Sequence, residues 1–181
     1  NKYNKNDINT LLLLGEISEI NTNFLDAMFY YYRVLKNEPD NFNANNNLAK
    51  ILIHLEDYNE SINILKYLLK NNNKHEVAYN LGYSYYKINN YEESIKYLTQ
   101  AILINPEDYK TYYYLGLSYK NKKLYKQCLD AFKKCISLNP NWGLAHYELG
   151  LLYEMILDDE LAIQHFELAK KNETFDDLNY K

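Results

Sequence analysis

The residues best able to do chemistry are few and are spread along the chain. Its four histidines are His54, His75, His146 and His165. None of them shows the His-Glu-x-x-His spacing that would place two imidazoles and a glutamate on one helix face as a metal site. No glycine-rich phosphate loop follows a predicted strand. We therefore expect no catalytic residues, no metal site and no cofactor, and hence a protein that is not an enzyme.

Two further reactive groups have a structural explanation. Cys128 and Cys135 stand seven residues apart, which is about 10.5 Å along a helix and too far for a disulfide. Free thiols are typical of a reducing compartment, so we expect an intracellular, cytoplasmic protein. The acidic run from Asp158 to Glu160 is typical of a helix start, where carboxylates interact favourably with the helix dipole.

The composition is that of a globular domain. The chain has 181 residues, of which 47% are hydrophobic and 24% charged, with a net charge of −4. A sequence pI of about 5.6 argues against nucleic-acid binding, which normally requires a basic domain. No apolar stretch approaches the roughly 20 residues that span a bilayer, and the start does not resemble a signal peptide. We expect neither nucleic-acid binding nor membrane insertion.

An internal repeat is the strongest feature of the sequence. The phrase Tyr-Asn-Leu-Gly-Tyr-Ser-Tyr begins at Tyr79, and related phrases begin at Tyr113 and Tyr147, each 34 residues after the one before. Fainter copies begin at Asn46 and Leu12. A fixed period of this length is the mark of a repeat architecture in which each unit is one supersecondary element.

The second half of each unit repeats in phase with the first. A small residue recurs, a bulky residue follows four positions later, and proline closes three of the units. The small residues are Ala27, Ser61, Ser94, Cys128 and Ala162, and the bulky ones are Tyr31, Leu65, Leu98, Phe132 and Phe166. The closing prolines are Pro39, Pro106 and Pro140.

The repeat also makes physical sense as two helices that share a core with their neighbours. Apolar residues recur at helical spacing within each half. Glycines such as Gly82 and Gly116 allow close approach of the paired helices, and Asn-Pro ends the second helix because the residue before proline disfavours the α region. At Asn72-Asn73-Lys74 no proline closes the second unit, and we expect a looser turn there.

The period and these positions resemble the tetratricopeptide repeat (TPR) family. The resemblance implies an all-α fold, an α-solenoid forming a right-handed superhelix of about five helix-turn-helix units. It places a leading segment at 1–7, the array at 8–176 and a tail at 177–181. The units are 8–41, 42–74, 75–108, 109–142 and 143–176. The predicted helices lie near 9–21, 24–36, 42–55, 58–71, 75–88, 91–104, 109–122, 125–138, 143–156 and 159–171.

In that family the first helices line a concave groove that holds the ligand. The resemblance therefore implies a groove built from fixed positions in each unit, with a row of tyrosines at one of them. Tyrosine suits partner recognition because it offers a large contact area and a polar tip, although aromatic residues at helical spacing also build cores. The predicted groove residues are Asn46, Asn47, Lys50, Tyr79, Asn80, Tyr83, Lys110, Tyr113, Tyr114, Leu117 and Tyr147.

The charges at groove positions suggest one kind of partner. Lys50, Lys87, Lys110 and Lys120 stand against Glu76 alone in the middle units. A basic centre in an acidic chain favours an acidic segment or a C-terminal carboxylate. Scattered lysines are also typical of a solvated helix face, and the sequence leaves both interpretations open.

Two TPR subfamilies match this pattern in part. One grips the C-terminal carboxylate of chaperones with a clamp of asparagine and basic residues. Asn80 and Lys110 match that clamp, Asn46 and Lys50 occupy its first pair in exchanged order, and Tyr114 stands where the clamp has arginine. The clamp is therefore incomplete.

The other subfamily is the TPR arm of a protein O-linked sugar transferase, which holds peptide backbone with a row of asparagines. Asn47 and Asn80 match this row, whereas Tyr114 and Glu148 interrupt it. At most two of its positions are kept.

We expect a protein-interaction scaffold or adaptor that binds a peptide or protein segment in the groove. Two alternatives remain. The chain could be the recognition arm of a larger enzyme, which a long extension beyond Lys181 would indicate, or a structural module that self-assembles. The last helix carries Leu161, Ile163 and Phe166, and few residues follow it to cover them. We therefore expect end-to-end association through the C-terminal repeat or continuation into further repeats.

Overall fold

A computed structural model describes residues 7–172 of the chain. Within that range the chain forms ten α-helices and no strand, so the all-α repeat fold is confirmed. Each helix begins and ends within one residue of its predicted bounds. The helices are α1 (Ile8–Ile20), α2 (Phe24–Asn37), α3 (Phe42–His54), α4 (Tyr58–Asn71), α5 (His75–Lys87), α6 (Tyr91–Ile104), α7 (Tyr109–Asn121), α8 (Tyr125–Leu138), α9 (Gly143–Met155) and α10 (Asp159–Lys171).

The chain divides into two compact units, with the boundary between Ile88 and Asn89. In unit 1, helices α1 to α5 each pack against the next along the chain, and in unit 2, helices α6 to α10 do the same. The boundary falls inside the predicted repeat 75–108, and the repeat boundaries remain a prediction. The predicted tail 177–181, and all but the last residue of the predicted leading segment 1–7, lie outside the described residues.

Local sequence explains where the helices begin. At most helix starts an Asp or Asn side chain accepts a hydrogen bond from a backbone N–H of the first turn, which satisfies one of the donors left open there. Lys74, which precedes α5, makes no such bond and stands in the turn that lacks proline. The capping residues are Asp7, Asn23, Asn41, Asp57, Asn90, Asp108 and Asp158.

The turn inside each helix pair has the same backbone shape five times. One residue adopts a positive φ near +60°, the left-handed conformation that commonly ends helices. Glycine usually takes this position, yet none of the five residues is glycine. They are Thr22, Glu56, Asn89, Lys123 and Leu157.

In three of the helix pairs, a glycine of the first helix faces an aromatic ring of the second. A Cβ atom added at Gly116 would lie 2.6 Å from the ring of Phe132, which is fully buried. This position excludes side chains because the ring occupies their volume. The same arrangement pairs Gly15 with Tyr31 and Gly150 with Phe166.

We expect Gly116→Ala to destabilise the protein by about 1–3 kcal/mol, because the added methyl overpacks the interface, although alanine favours helix more than glycine does. Urea denaturation followed by circular dichroism measures the loss. Adding Phe132→Leu, the residue type found at Leu65 and Leu98 in equivalent positions, should restore part of it. Equal stability of the single and double variants would contradict this account.

Candidate functional site

In unit 1 the predicted groove residues of α3 meet α5 through a small polar cluster. Lys50 forms an ion pair with Glu76. Burial alone would raise the pKa of Glu76, but the hydrogen bond and charge of Lys50, with a hydrogen bond from Asn46, lower this pKa below its usual value. Asn46 is buried, and its side-chain oxygen makes no hydrogen bond. Lys50 is therefore already engaged by a carboxylate of its own unit.

Asn47 is held by the helix behind it. Its side-chain amide donates to the Tyr31 hydroxyl oxygen at 3.2 Å, and that hydroxyl donates to Glu19 at 3.1 Å. Burial and the nearby carboxylate raise the pKa of Tyr31 well above its usual value. This chain of hydrogen bonds fixes Asn47 across the α1, α2 and α3 contact.

Aromatic rings follow one another along α5 and onto α4. His75 stacks on Tyr79 with ring centroids 6.2 Å apart, and Tyr79 stacks on Tyr83 at 6.4 Å. The Tyr58 ring meets Tyr83 edge-on, also at 6.4 Å. The Lys87 ammonium lies 5.7 Å from the Tyr58 ring centroid and 5.9 Å from that of Tyr83, within the range of cation–π attraction.

We call these five residues the aromatic row: His75, Tyr79, Tyr83, Tyr58 and Lys87. Apart from the exposed Lys87, all are half-buried, so each ring offers part of its surface to solvent. Asn80, the remaining predicted groove residue of unit 1, is half-buried as well.

In unit 2 most of the predicted groove residues lie inside the protein. Tyr113 is only 7% exposed and packs between Phe132 and Trp142, with centroid distances of 5.9 and 6.0 Å. Tyr114 is equally buried and meets the Tyr113 ring edge-on. Leu117 is buried as well. These three side chains therefore build the interior of unit 2.

Tyr147 and Lys110 are the predicted groove residues of unit 2 that reach solvent. Tyr147 is 49% exposed while one side of its ring rests on Phe166, at a centroid distance of 5.8 Å. Lys110 is half-buried. Tyr113 and Tyr147 thus differ sharply in exposure although they hold the same place in the repeat.

The positive charge expected at groove positions is partly compensated within each unit. Lys120 pairs with Glu148, whose side chain is mostly buried, just as Lys50 pairs with Glu76. Two of the four lysines thus form ion pairs with a carboxylate on the first helix of the following helix pair. The excess of positive charge at these positions is therefore smaller than the sequence suggested.

Two histidines that show no metal-site spacing in the sequence lie side by side in the structure. His146 on α9 and His165 on α10 lie with their Nδ1 atoms 2.9 Å apart. They stand at nearly equal distances in sequence from the turn at Ile156, and an antiparallel helix pair places such residues side by side. That symmetry about the turn is the signal that could have revealed the pair.

Hydrogen bonding assigns the protons of this pair. The Nε2 atom of His146 lies 3.0 Å from the carbonyl oxygen of Pro140, which only accepts, so His146 Nε2 carries the hydrogen. In neutral His146 the Nδ1 atom then accepts, and His165 Nδ1–H donates to it. Asn45 makes the corresponding bond to the carbonyl of Pro39 at 2.9 Å. The role of His146 is accordingly structural.

The remaining reactive groups are the two thiols and the side chains that can bind a metal ion. Cys128 and Cys135 are fully buried and unlinked. Across residues 7–172, no three side chains of His, Cys, Asp or Glu come close enough to hold a metal ion. Over the same range no helix combines the length and apolar character that crossing a bilayer requires.

Comparison with known proteins identifies the family. The sequence pattern described as tetratricopeptide repeat matches residues 75–108 and 109–141, and a second pattern with that description matches residues 21–81. These matches cover more than half of the chain, and the fold agrees with them. The chain belongs to the tetratricopeptide repeat family.

Solved structures of TPR proteins resemble the chain over most of its length. The crystal structure of the MamA protein is 27% identical, with a TM-score of 0.83, and the alignment covers 92% of this chain and 91% of that one. A MamA fragment from Desulfovibrio magneticus RS-1 is 21% identical, with a TM-score of 0.85 and coverages of 91% and 94%.

YrrB, described as a TPR protein with an unusual peptide-binding site, is 19% identical, with a TM-score of 0.79 and coverages of 94% and 88%. At this identity the likeness concerns the fold. No curated protein sequence matches the chain significantly.

We expect the α9–α10 pair to lose stability as the pH falls below about 6.5, the ordinary pKa of histidine. Burial, with the nearby His146 and Lys133, lowers the pKa of His165. The unfolded chain therefore takes up a proton at a higher pH than the folded chain, so the stabilisation is complete above this pH and declines below it. His165→Gln, which can still donate to His146, should show a smaller loss between pH 7.5 and 5.5. Chemical denaturation at each pH tests this, and identical pH profiles would contradict it.

We expect both thiols to resist modification in the native protein. Burial raises the pKa of Cys128 and Cys135 to about 12, and the thiolate is the reactive form. A chromogenic disulfide reagent at pH 8 should therefore react with neither thiol in buffer and with both in denaturant. Rapid modification of either cysteine in buffer would show that α8 opens readily.

Proposed function

We propose that this protein is a non-catalytic interaction scaffold that binds a peptide or an extended protein segment. The main contact is the aromatic row of unit 1. The other predicted groove residues of that unit are Asn46, Asn47, Lys50 and Asn80. Membership of the TPR family supports the general role. The aromatic row is the single observation on which the proposed location depends.

The rings of the aromatic row suit the binding of an extended segment. Adjacent centroids are separated by 6.2 to 6.4 Å, close to the rise of two residues in an extended chain, in which alternate side chains share a face. A bound segment can thus place every second side chain against a ring. Rigid, half-buried aromatic side chains lose little conformational entropy on binding, which favours them as contact residues.

The charges around the row favour a segment with a carboxylate. Lys87 is exposed and lies beside two ring faces, so a ligand carboxylate can reach its ammonium group while apolar ligand groups contact the rings. Lys50 is less suited because Glu76 already neutralises it. We therefore place the acidic or C-terminal group of the ligand at Lys87.

Lys110 and Tyr147 are the accessible predicted groove residues of unit 2, and we propose them as a separate contact surface within that unit. Tyr113, Tyr114 and Leu117 are buried and serve as packing residues. The peptide-binding site in the description of YrrB supports this use of the fold. Two unlinked cysteines favour a reducing compartment, and we place the protein in the cytoplasm.

We expect Tyr79→Ala and Tyr83→Ala each to weaken ligand binding by at least about 1 kcal/mol, because central aromatic contacts usually carry that much. A peptide array of random sequences with free C-termini supplies a ligand, and calorimetry with the selected peptide measures the affinity. Lys87→Gln should weaken binding of an acidic peptide more than that of its amidated, uncharged analogue.

Tyr125→Ala is the matched control, because it removes an exposed tyrosine of α8 that is not among the predicted groove residues. Tyr113→Ala is unsuitable, since removal of a buried ring destabilises the protein whatever the ligand does. Full binding by both the Tyr79 and Tyr83 variants would exclude the aromatic row as the site. Failure of every peptide to bind would exclude the proposed function itself.

A further inference from the structure

The turn between α9 and α10 is more apolar than its four counterparts in the chain. Met155 ends α9, and Ile156 and Leu157 follow it. These three consecutive residues are 57%, 65% and 87% exposed. A run of exposed apolar residues is unfavourable in water unless it has a function. The counterparts of Leu157 are all polar, namely Thr22, Glu56, Asn89 and Lys123.

The backbone conformation does not explain why leucine stands at position 157. Leu157 has a φ of 61°, the left-handed conformation in which Cβ crowds the carbonyl oxygen. Asparagine, which stands at the matching position Asn89, tolerates this conformation better because its side chain can hydrogen-bond locally. Leu157 gains no burial in exchange, because its side chain projects into solvent. A residue that violates two structural preferences at once is expected at functional positions.

The first residue of the helix that follows is also exceptional. An aromatic residue begins the second helix of the other four pairs, and in unit 1 it covers the end of the next first helix. The ring centroids of Phe24 and His54 are 4.6 Å apart, and the Tyr58 ring centroid lies 5.7 Å from the Lys87 ammonium. Asp159 takes this place in the last pair. The aromatic residues are Phe24, Tyr58, Tyr91 and Tyr125.

Carboxylates surround the apolar turn on both sides. Glu154 precedes it, and Asp158, Asp159 and Glu160 follow it, while no Lys, Arg or His occurs from 154 to 160. The three that follow lie at the start of α10, where negative charge also stabilises the helix. Glu154 lies in the last turn of α9, where negative charge opposes the dipole, so helix stability does not explain it.

We propose that Met155, Ile156 and Leu157, called here the apolar turn, form a second binding surface for a basic amphipathic helix of a partner protein. The apolar side chains enter the apolar face of that helix, and Glu154, Asp159 and Glu160, which are all exposed, pair with Lys or Arg at its edges. Charge complementarity selects this partner over an anionic lipid surface, which the carboxylates repel. The surface belongs to unit 2 and is independent of the aromatic row.

Calorimetry with two synthetic helices tests the proposal. The first is an amphipathic peptide of about 18 residues, five helical turns, made of leucine and lysine, and the second has glutamate in place of every lysine. The full chain should bind the lysine peptide at least about tenfold more tightly than the glutamate peptide. Met155→Asn with Leu157→Asn should weaken the lysine peptide by at least about tenfold. Glu154→Gln with Glu160→Gln should weaken it and reduce its dependence on salt.

Two comparisons separate lost binding from lost structure. Leu103→Asn removes a leucine that is 81% exposed on α6, outside the apolar turn, and should leave binding unchanged. Leu157→Asn alone should melt at the wild-type temperature or above it, because asparagine suits the left-handed conformation. It should nevertheless bind the lysine peptide more weakly than wild type.

Several results would overturn the proposal. Equal binding of the two peptides, or wild-type binding by the asparagine variants, would exclude the apolar turn as a basic-helix site. Self-association in sedimentation that depends on Leu157 would make a second copy of the chain the occupant. Leu157-dependent binding to neutral phosphatidylcholine vesicles would make it a lipid surface. Each result is distinct from loss of peptide binding at the aromatic row.

Discussion

Three of the helix pairs depend on the close contact between a glycine backbone and an aromatic ring. At Gly116 and Phe132 the ring occupies the space where a side chain would otherwise stand. This contact sets the distance between α7 and α8. That distance in turn determines which side chains of the pair pack against the neighbouring helices. Recurrence of the contact at Gly15 and Gly150 imposes the same spacing on the first and last pairs.

Polar groups complete this packing where the chain passes from one pair to the next. Asn45 and His146 stand at the same place in their helices and both donate to the carbonyl oxygen of a closing proline. Proline has no N–H to offer, so its carbonyl is the one backbone hydrogen-bonding group at that residue. A donor from the following first helix satisfies it and fixes the turn. Asparagine and histidine are interchangeable here because each can donate one suitably placed hydrogen.

The sequence predicted the helices closely, whereas it could not show which predicted groove residues are exposed, and the physical reasons differ. Helix bounds depend on local signals such as Asp57 at the start of α4 and the proline after Asn105, and these lie within a few residues of the boundary. Exposure depends on neighbours from other helices. Tyr113 is buried because Trp142 covers it, whereas Tyr147 holds the same repeat position and remains half exposed.

The net charge at the groove positions could not be predicted from the sequence for the same reason. The carboxylates that neutralise Lys50 and Lys120 belong to the following first helix in each case, and the repeat period alone does not reveal which side chains meet. His146 and His165 likewise come together only through the antiparallel geometry of their helices. Predicting the contacts between helices therefore requires the three-dimensional arrangement, whereas predicting the helices themselves does not.

Within each of the two units, every helix packs mainly against the next along the chain, and this has a kinetic consequence. The contacts in each unit join residues close in sequence, so little loop-closure entropy is lost before a helix pair forms. Such low contact order is typical of proteins that fold in microseconds to milliseconds. Any pair whose glycine and ring have met can act as a nucleus, and helices add to it on either side. Single helices are therefore expected to open locally and exchange their amide hydrogens before the whole chain unfolds.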